Sequence, residues 1–216
     1  MNRRQGGLLA AVASLCWAAA ALADGPVGIT HTLTGVDVLH NGKPVRIDRN
    51  PDTFNMVDPD YALTSRPCPP FCIQPMVLAP GVETIGELEM LDYLKKAGRD
   101  ASVLVIDSRD GDWPKRSGII PGALVLPWQE LHPGHTDPEK VAETMVFRFG
   151  ATHQGAIWNF ENAKTLVFYC NGPWCGQSPT NIKQLLSMGY PAHKLKWYRG
   201  GMQDWKVLGL TTVAPN

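Results

Sequence analysis

The chain has 216 residues, with 20 lysines and arginines against 20 aspartates and glutamates. This length is enough for one domain with a sizeable hydrophobic core and an added extension. The balanced charge gives no electrostatic reason to expect a nucleic acid or an anionic membrane as a partner.

The first 23 residues have the pattern of a secretory signal peptide. Arg3 and Arg4 precede an apolar stretch at positions 7–22, and Ala21 and Ala23 place small residues where a signal peptidase reads the chain. The stretch is short and rich in alanine for a membrane anchor, since a span needs about 20 apolar residues. We therefore predict a mature chain that begins at Asp24, is periplasmic or secreted, and does not insert into a membrane.

Residues 24–80 predict an N-terminal extension that wraps around the following domain rather than folding alone. Two segments at 35–40 and 43–47 flank Asn41 and Gly42, a pair that accepts the positive φ values of a tight hairpin turn. The rest of the extension is rich in proline, which breaks any long helix or central strand. Cys68 and Cys72 are expected to form a local disulfide in this proline-rich loop, with a second redox pair as the alternative.

The segment 81–216 has the pattern of one α/β domain. Short apolar runs at 103–106, 124–126 and 166–169 are separated by helices and turns. This alternation is typical of a parallel sheet covered by helices on both faces.

Two helices of this domain are predicted from their caps. Thr84 and Glu87 are placed as a capping box. The apolar positions that follow at helical spacing are Ile85, Leu88, Leu91 and Leu94. A later helix is predicted to begin at Asp137 and Pro138 and to run to about Phe147. We expect residues 128–160 to form a rim over the loop described next.

Cys170 is the candidate nucleophile, because it closes a buried apolar run and precedes a short loop and a helix predicted to begin at Pro179. Gly172 and Gly176 are expected to let the backbone turn inward, so that its N–H groups and the helix N-terminus stabilise a thiolate or a persulfide. The predicted substrate-binding loop consists of Asn171, Gly172, Trp174, Gly176, Gln177 and Ser178. The alternative is that Cys170 is only a small apolar plug at the end of a strand.

The motifs around Cys170 resemble those of the rhodanese (sulfurtransferase) family over roughly residues 82–213. The strand that ends in Asp107-Ser-Arg109 and the turn Gly118-Ile-Ile-Pro-Gly-Ala123 come first, and Trp197-Tyr-Arg-Gly-Gly201 closes the pattern. Ile119 replaces the usual histidine of the turn. The resemblance implies a rhodanese-like fold in which Asp107 and Arg109 support the structure by hydrogen bonds and are not catalytic.

Three departures from the family pattern refine this expectation. The predicted loop is longer than that of simple rhodaneses, yet Gly176 stands where phosphatase relatives need arginine, so phosphatase activity is not expected. The loop contains no arginine or lysine, and this absence argues against thiosulfate as the sulfur donor. A second cysteine, Cys175, lies in the loop and could attack a persulfide on Cys170 as a resolving thiol.

We therefore expect an exported sulfurtransferase that carries sulfane sulfur on Cys170, with Cys175 as the resolving thiol. The expected partners are a small sulfur-containing donor and a thiol acceptor or a redox partner protein. The alternatives are a thiol–disulfide oxidoreductase and a non-catalytic binding module with a Cys170–Cys175 disulfide. No cofactor or metal is expected, because the cysteine pairs lack the two-residue spacing usual for zinc, and His132 and His135 suit a solvated loop.

Overall fold

The described part of the chain begins with an antiparallel hairpin. The computed structural model describes residues 27–215, and the predicted signal at 1–23 lies outside them. Strands β1 (Gly35–His40) and β2 (Lys43–Asp48) pair along their whole length. Asn41 and Gly42 connect them with φ values of 53° and 73°, the left-handed conformation that a two-residue hairpin turn requires. The predicted hairpin is confirmed.

A five-stranded parallel sheet lies at the centre of the domain. The remaining strands are β3 (Glu83–Ile85), β4 (Val103–Asp107), β5 (Leu124–Val125), β6 (Thr152–Gln154), β7 (Ile157–Asn159), β8 (Thr165–Tyr169) and β9 (Leu195–Tyr198). The order in the central sheet is β3-β9-β8-β4-β5, and all neighbouring pairs are parallel. Strands β6 and β7 form a separate antiparallel pair.

Short helices connect these strands. The α-helices are α1 (Pro59–Ala62), α2 (Glu87–Ala97), α3 (Trp113–Ser117), α4 (Pro138–Glu143), α5 (Gln177–Ser187) and α6 (Gly201–Val207). Two 3₁₀ turns lie at Trp128–Leu131 and Ala192–Lys194, and a π-helical turn at Thr144–Arg148 continues α4. Within residues 27–215, none of these helices combines the length and the apolar character that a bilayer span requires.

Helices cover both faces of the sheet, as predicted. Strand β8 shows the alternation: Val167 and Tyr169 pack in one core with α2 and α6, whereas Leu166 and Phe168 pack in the other core with α4 and α5. Side chains that are buried on both faces explain why the strands read as continuous apolar runs. The predicted α/β class with a parallel sheet is therefore confirmed.

The predicted capping box is wrong, and α2 begins later than expected. Thr84 lies in β3, where it pairs with Trp197 and donates its hydroxyl to the carbonyl of Met76. The first helical residue is Glu87, and the carboxylate of Glu89 accepts the N–H of Gly86 at 3.1 Å. The register of the helix therefore turns Leu88 outward, 48% exposed, while Met90, Leu91 and Leu94 face the core.

The predicted cap of the later helix is confirmed. Asp137 accepts the N–H of Glu139 at 3.0 Å, and Pro138 begins α4. The π-helical turn that follows brings Met145 and Phe149 into the core against α5. Met145 and Phe149 therefore belong to the core. Trp128 and Gln129 are the residues of the segment 128–160 that reach the candidate site.

The N-terminal extension packs directly on the domain. Val36, Val38 and Ile47 of the hairpin and Tyr61 of α1 belong to the same buried core as Leu94 of α2. Burying such side chains removes apolar surface from water and holds the extension in place. The fold therefore places residues 59–74 beside the carboxyl ends of the central strands.

Candidate active site

Cys170 directly follows β8, and α5 begins at Gln177 rather than at the predicted Pro179. The carbonyl of Gly176 accepts both the N–H and the hydroxyl of Thr180 at 2.9 Å, which starts the helix early. Proline is tolerated at this early position, because the first N–H groups of a helix have no partner within it. The loop thus consists of residues 171–176, shorter than expected, and Gln177 and Ser178 belong to the first turn of α5.

The N-terminal end of α6 holds this loop from the other side. Met202 and Gln203 donate their N–H groups to the carbonyls of Cys170 and Asn171, each at 2.9 Å. Gly201 has a φ of 57°, and a Cβ atom on it would lie 2.3 Å from the carbonyl oxygen of Cys170. Only glycine fits this position.

Gly201 therefore has the role that the sequence had suggested for the two loop glycines. Neither Gly172 nor Gly176 has a positive φ. At Gly172 the restriction is packing, because a Cβ atom would lie 3.0 Å from Gln203. The site requires glycine at position 201 because the start of α6 lies against the backbone of Cys170. The sequence alone does not show this contact.

The Cys170 sulfur lies in a nest of donors. Cys170 is 2% exposed, and its Sγ lies 3.4 Å from the carbonyl oxygen of Cys175. Burial raises the pKa of the Cys170 thiol. Nearby donors lower this pKa by a larger amount, and they are the Cys175 thiol, the N–H and hydroxyl of Ser178 and the N–H of Gly172. The net pKa of Cys170 therefore lies below its ordinary value. Cys170 is therefore the more acidic thiol of the pair.

Cys175 is the matching thiol. Burial, the hydrogen bond with Cys170 and the negative charge of Cys170 together raise the pKa of Cys175 well above its ordinary value. The N–H groups of Gln177 and Asn171 face Cys175, and these two donors lower its pKa only in part. The loop thus distributes its N–H groups between two sulfurs and makes Cys170 more acidic than Cys175.

Ser178 offers a test of the donor nest. Its hydroxyl is fully buried and has no hydrogen-bond partner within residues 27–215, and it lies near enough to the Cys170 sulfur to lower the pKa of that thiol. Ser178→Ala should raise the pKa of Cys170 and shift the pH profile of its alkylation by iodoacetamide to higher pH, because the thiolate loses a donor. Ser187→Ala, at an exposed position of α5, should leave the profile unchanged. A profile unchanged in Ser178→Ala would show that this hydroxyl does not serve the sulfur.

A buried ion pair lies under the loop. Arg109 and Asp107 are both 0% exposed and are 2.6 Å apart. Burial lowers the pKa of Arg109, but Asp107 raises it more, so the guanidinium remains charged. Arg109 also donates to the hydroxyl of Tyr61, and Tyr61 donates to the side chain of Asn171 at 3.0 Å. The network connects the extension to the loop, and Asn171 therefore points its side chain into the structure.

The predicted disulfide is present and lies beside the loop. Cys68 and Cys72 are bonded, with their Cα atoms 4.7 Å apart. Gln74 follows the disulfide and donates its N–H to the carbonyl of Pro173 at 2.8 Å. Arg199 in turn donates to the carbonyl of Gln74. The disulfide loop is therefore a wall of the site.

This disulfide is expected to contribute moderately to stability. Replacing Cys68 and Cys72 together by serine should lower the free energy of unfolding by about 2 kcal/mol, the loop-closure effect for so short a loop. Chemical denaturation measures this change, and reduction of the wild-type protein should have the same effect. Equal stability of the double variant and the oxidised wild-type protein would contradict a stabilising role.

A cavity of about 410 Å³ opens beside the two cysteines. Its lining residues are Pro70, Phe71, Asp110, Trp113, Trp128, Asn171, Trp174, Cys175, Gly176, Gln177 and Thr180. Cys175 forms part of this lining, whereas Cys170 lies behind it. The sequence analysis placed Trp174 in the substrate-binding loop, and it is one of the four aromatic side chains that line the cavity.

Asp110 is a site residue that the sequence analysis missed. Its carboxylate accepts hydrogen bonds from Gln177 at 2.6 Å, Gln129 at 2.7 Å and Trp128 at 3.0 Å. Gln177, a residue of the predicted substrate-binding loop, is thus tied to Asp110. A signal existed in the sequence, since Asp110 follows β4 closely and the carboxyl ends of parallel strands meet at one edge of a sheet. Phe71 had no such signal, because only the packing of the extension brings it here.

The two loop histidines do not form a metal site. His132 and His135 pack edge to face against each other and against Trp128, with ring centroids 4.8–5.8 Å apart. Within residues 27–215, no group of three or more histidine, cysteine, aspartate or glutamate side chains is arranged to hold a metal ion.

The fold is similar to several solved structures. A protein of unknown function from Rhodopseudomonas palustris, described as a possible tyrosine phosphatase, is 23% identical, with a TM-score of 0.45 over 63% of this chain and 88% of that one. A Bacillus halodurans protein is 19% identical, with a TM-score of 0.39 over 57% of this chain and 70% of that one. An uncharacterised Saccharomyces cerevisiae protein is 22% identical, with a TM-score of 0.37 over 57% of this chain and 90% of that one.

The family assignment rests on a different comparison. No curated protein matches the chain. The model of the Rhodanese-like domain family matches residues 90–208, which is more than half of the chain and includes both loop cysteines. The motifs that suggested this family all lie on the central sheet and its connections. The chain belongs to the Rhodanese-like domain family.

Proposed function

We propose that this protein is a sulfurtransferase in which Cys170 receives a sulfane sulfur and Cys175 releases it. The rhodanese-like family includes sulfurtransferases as well as members without catalytic activity, so membership alone does not decide the question. The observation that supports the proposal is the pair of free, buried thiols in one short loop at the carboxyl end of β8, where the surroundings lower the pKa of Cys170 and raise that of Cys175.

The first step is a transfer of sulfur to Cys170. The Cys170 thiolate attacks the outer sulfur of an organic persulfide, R–S–SH. The sulfur–sulfur bond of the donor breaks, R–S⁻ leaves and takes up a proton, and Cys170–S–SH forms. The donors that face Cys170 stabilise the negative charge of the thiolate before the reaction and of the persulfide after it.

The second step involves Cys175. Its thiol loses a proton and attacks the Sγ atom of Cys170. The bond between Sγ and the outer sulfur breaks, a disulfide forms between the two cysteines, and HS⁻ leaves. Over both steps, the dithiol protein and R–S–SH yield the disulfide protein, R–SH and H₂S. The carbonyl oxygen of Cys175 already lies 3.4 Å from the Cys170 sulfur, so the attacking residue starts close to its target. A dithiol reductant, small or protein-bound, must then restore the two thiols.

The location of the reaction is part of the proposal. The signal-like residues 1–23 favour a periplasmic or secreted protein. An oxidising compartment suits the Cys68–Cys72 disulfide, and there a redox partner protein would serve as the reductant.

Sulfide release tests the resolving step. Wild-type protein with reduced loop cysteines should release one equivalent of sulfide from an organic persulfide and then stop, because no reductant reopens the disulfide. Cys175→Ser should release none and should keep the extra sulfur on Cys170. A thiol–disulfide oxidoreductase would instead attack the inner sulfur of the donor, release HS⁻ and leave the mixed disulfide Cys170–S–S–R in the Cys175→Ser protein, and that result would contradict the proposal. A static Cys170–Cys175 disulfide would leave the native protein without a reactive thiol, which would contradict it as well.

A further inference from the structure

The cavity beside Cys175 has a composition that restricts the donor. Four aromatic side chains line it, and they form a connected wall: Phe71 meets Trp174 edge to face at 5.5 Å, and Trp174 meets Trp113 at 6.4 Å. Trp128 is the fourth aromatic residue of the lining. A volume of about 410 Å³ lies within the range of pockets that enclose small organic molecules, from roughly 300 to 1,000 Å³.

The charge in this cavity is negative. Asp110 is the charged residue in the lining, and its carboxylate is held by three uncharged donors. Within residues 27–215, no lysine or arginine lines the cavity or forms an ion pair with Asp110. A donor whose organic group is anionic would therefore lose the hydration of that group and place it beside a like charge.

Two arginines lie near the aromatic wall without changing this conclusion. Arg66 stacks on Trp174 at 3.8 Å and Arg116 stacks on Trp113 at 4.5 Å, but neither lines the cavity. Both bond to Asp60, Arg66 with its carbonyl oxygen and Arg116 with its carboxylate. Each guanidinium therefore packs on one ring of the aromatic wall.

We propose that the cavity binds the organic part of a persulfide whose group R is uncharged, apolar and aromatic or branched, held against Phe71 and the tryptophans, and that Asp110 disfavours donors with an anionic group R. This inference rests on the proposed sulfurtransferase function and names its substrate class. It also gives the N-terminal extension a role in specificity, since the disulfide loop brings Phe71 to the cavity.

The test uses binding, so that it does not depend on sulfur transfer. Benzyl methyl sulfide is an uncharged thioether that cannot donate sulfane sulfur, and 4-(methylsulfanylmethyl)benzoate is its anionic counterpart. Calorimetric titration of the full chain should show saturable binding of the thioether, and binding of the benzoate at least about tenfold weaker, which corresponds to about 1.4 kcal/mol.

Matched variants locate the site. Phe71→Ala should weaken thioether binding about tenfold or more, whereas Phe54→Ala, at a position of the same extension that is 89% exposed, should change it less than about twofold. Phe71→Leu should be intermediate and guards against a folding defect in the alanine variant. Asp110→Asn should reduce the preference against the benzoate, and Asp112→Asn, an exposed aspartate outside the cavity, should not.

The outcomes separate the two proposals. No saturable thioether binding, equal binding of the benzoate, or binding unaffected by Phe71→Ala would overturn the inference about the cavity. Thioether binding without sulfide release from an apolar persulfide would overturn the sulfurtransferase proposal and support the cavity as an apolar ligand site. Binding together with faster sulfide release from benzyl persulfide than from thiosulfate would support both.

Discussion

Cys170→Ser should reduce sulfur transfer to the background rate, a loss of at least about 10³-fold, because the serine hydroxyl stays protonated where the cysteine forms a thiolate. The fold should survive, since serine nearly matches cysteine in size and the surrounding N–H groups can bond to its oxygen. The measurement is release of R–SH from an organic persulfide R–S–SH, which accompanies the first transfer, with thermal unfolding as the check on folding.

Cys175→Ser is the matched control for this loss. This substitution also replaces the sulfur of a buried loop cysteine by oxygen, yet the variant protein should still accept sulfur on Cys170. A Cys170→Ser protein that keeps wild-type release of R–SH would refute the assignment of the nucleophile. Loss of the first transfer in both variants would show that the two cysteines act together from the start.

Arg109→Leu should destabilise the protein by about 3–5 kcal/mol, because it leaves the carboxylate of Asp107 buried and unpaired. The loss should be large for a second reason: Arg109 also donates to Ser117 at 2.7 Å and to the carbonyl of Gly118 at 2.6 Å, and these acceptors would lose their partner. Chemical denaturation of the purified variant measures the effect.

An exposed ion pair provides the comparison. Lys95 and Asp92 are 2.5 Å apart on α2, with both side chains largely exposed, so Lys95→Met should cost less than about 1 kcal/mol. If Arg109→Leu cost no more than Lys95→Met, the buried pair would not be the support under the loop that its geometry indicates.

Local signals in the sequence predicted the parts of the fold that depend on neighbouring residues. Asn41 and Gly42 specify their turn by backbone conformation alone, and the apolar runs specify strands that are buried on both faces. The position of Cys170 at the end of such a strand followed from the same pattern. These features need no knowledge of what packs against them.

The features that the sequence did not reveal depend on distant segments. Phe71 reaches the cavity because the extension packs on the domain, and Gly201 is required because α6 approaches the carbonyl of Cys170. The start of α5 at Gln177 was obscured by Pro179, which suggested a helix start although it occupies an interior position of the first turn. Each of these depends on a contact between residues far apart in the chain or on the exact hydrogen bonds of a helix end.

The central claim is that Cys170 carries the transferred sulfur. Cys175→Ser protein can be incubated with an organic persulfide whose outer sulfur is isotopically labelled, and then digested and analysed by mass spectrometry of the peptides. We predict one labelled sulfur atom on the peptide that contains Cys170, which in this variant has no other cysteine in the loop. Label on the peptide that contains Cys68 and Cys72, or no labelled peptide, would contradict the account.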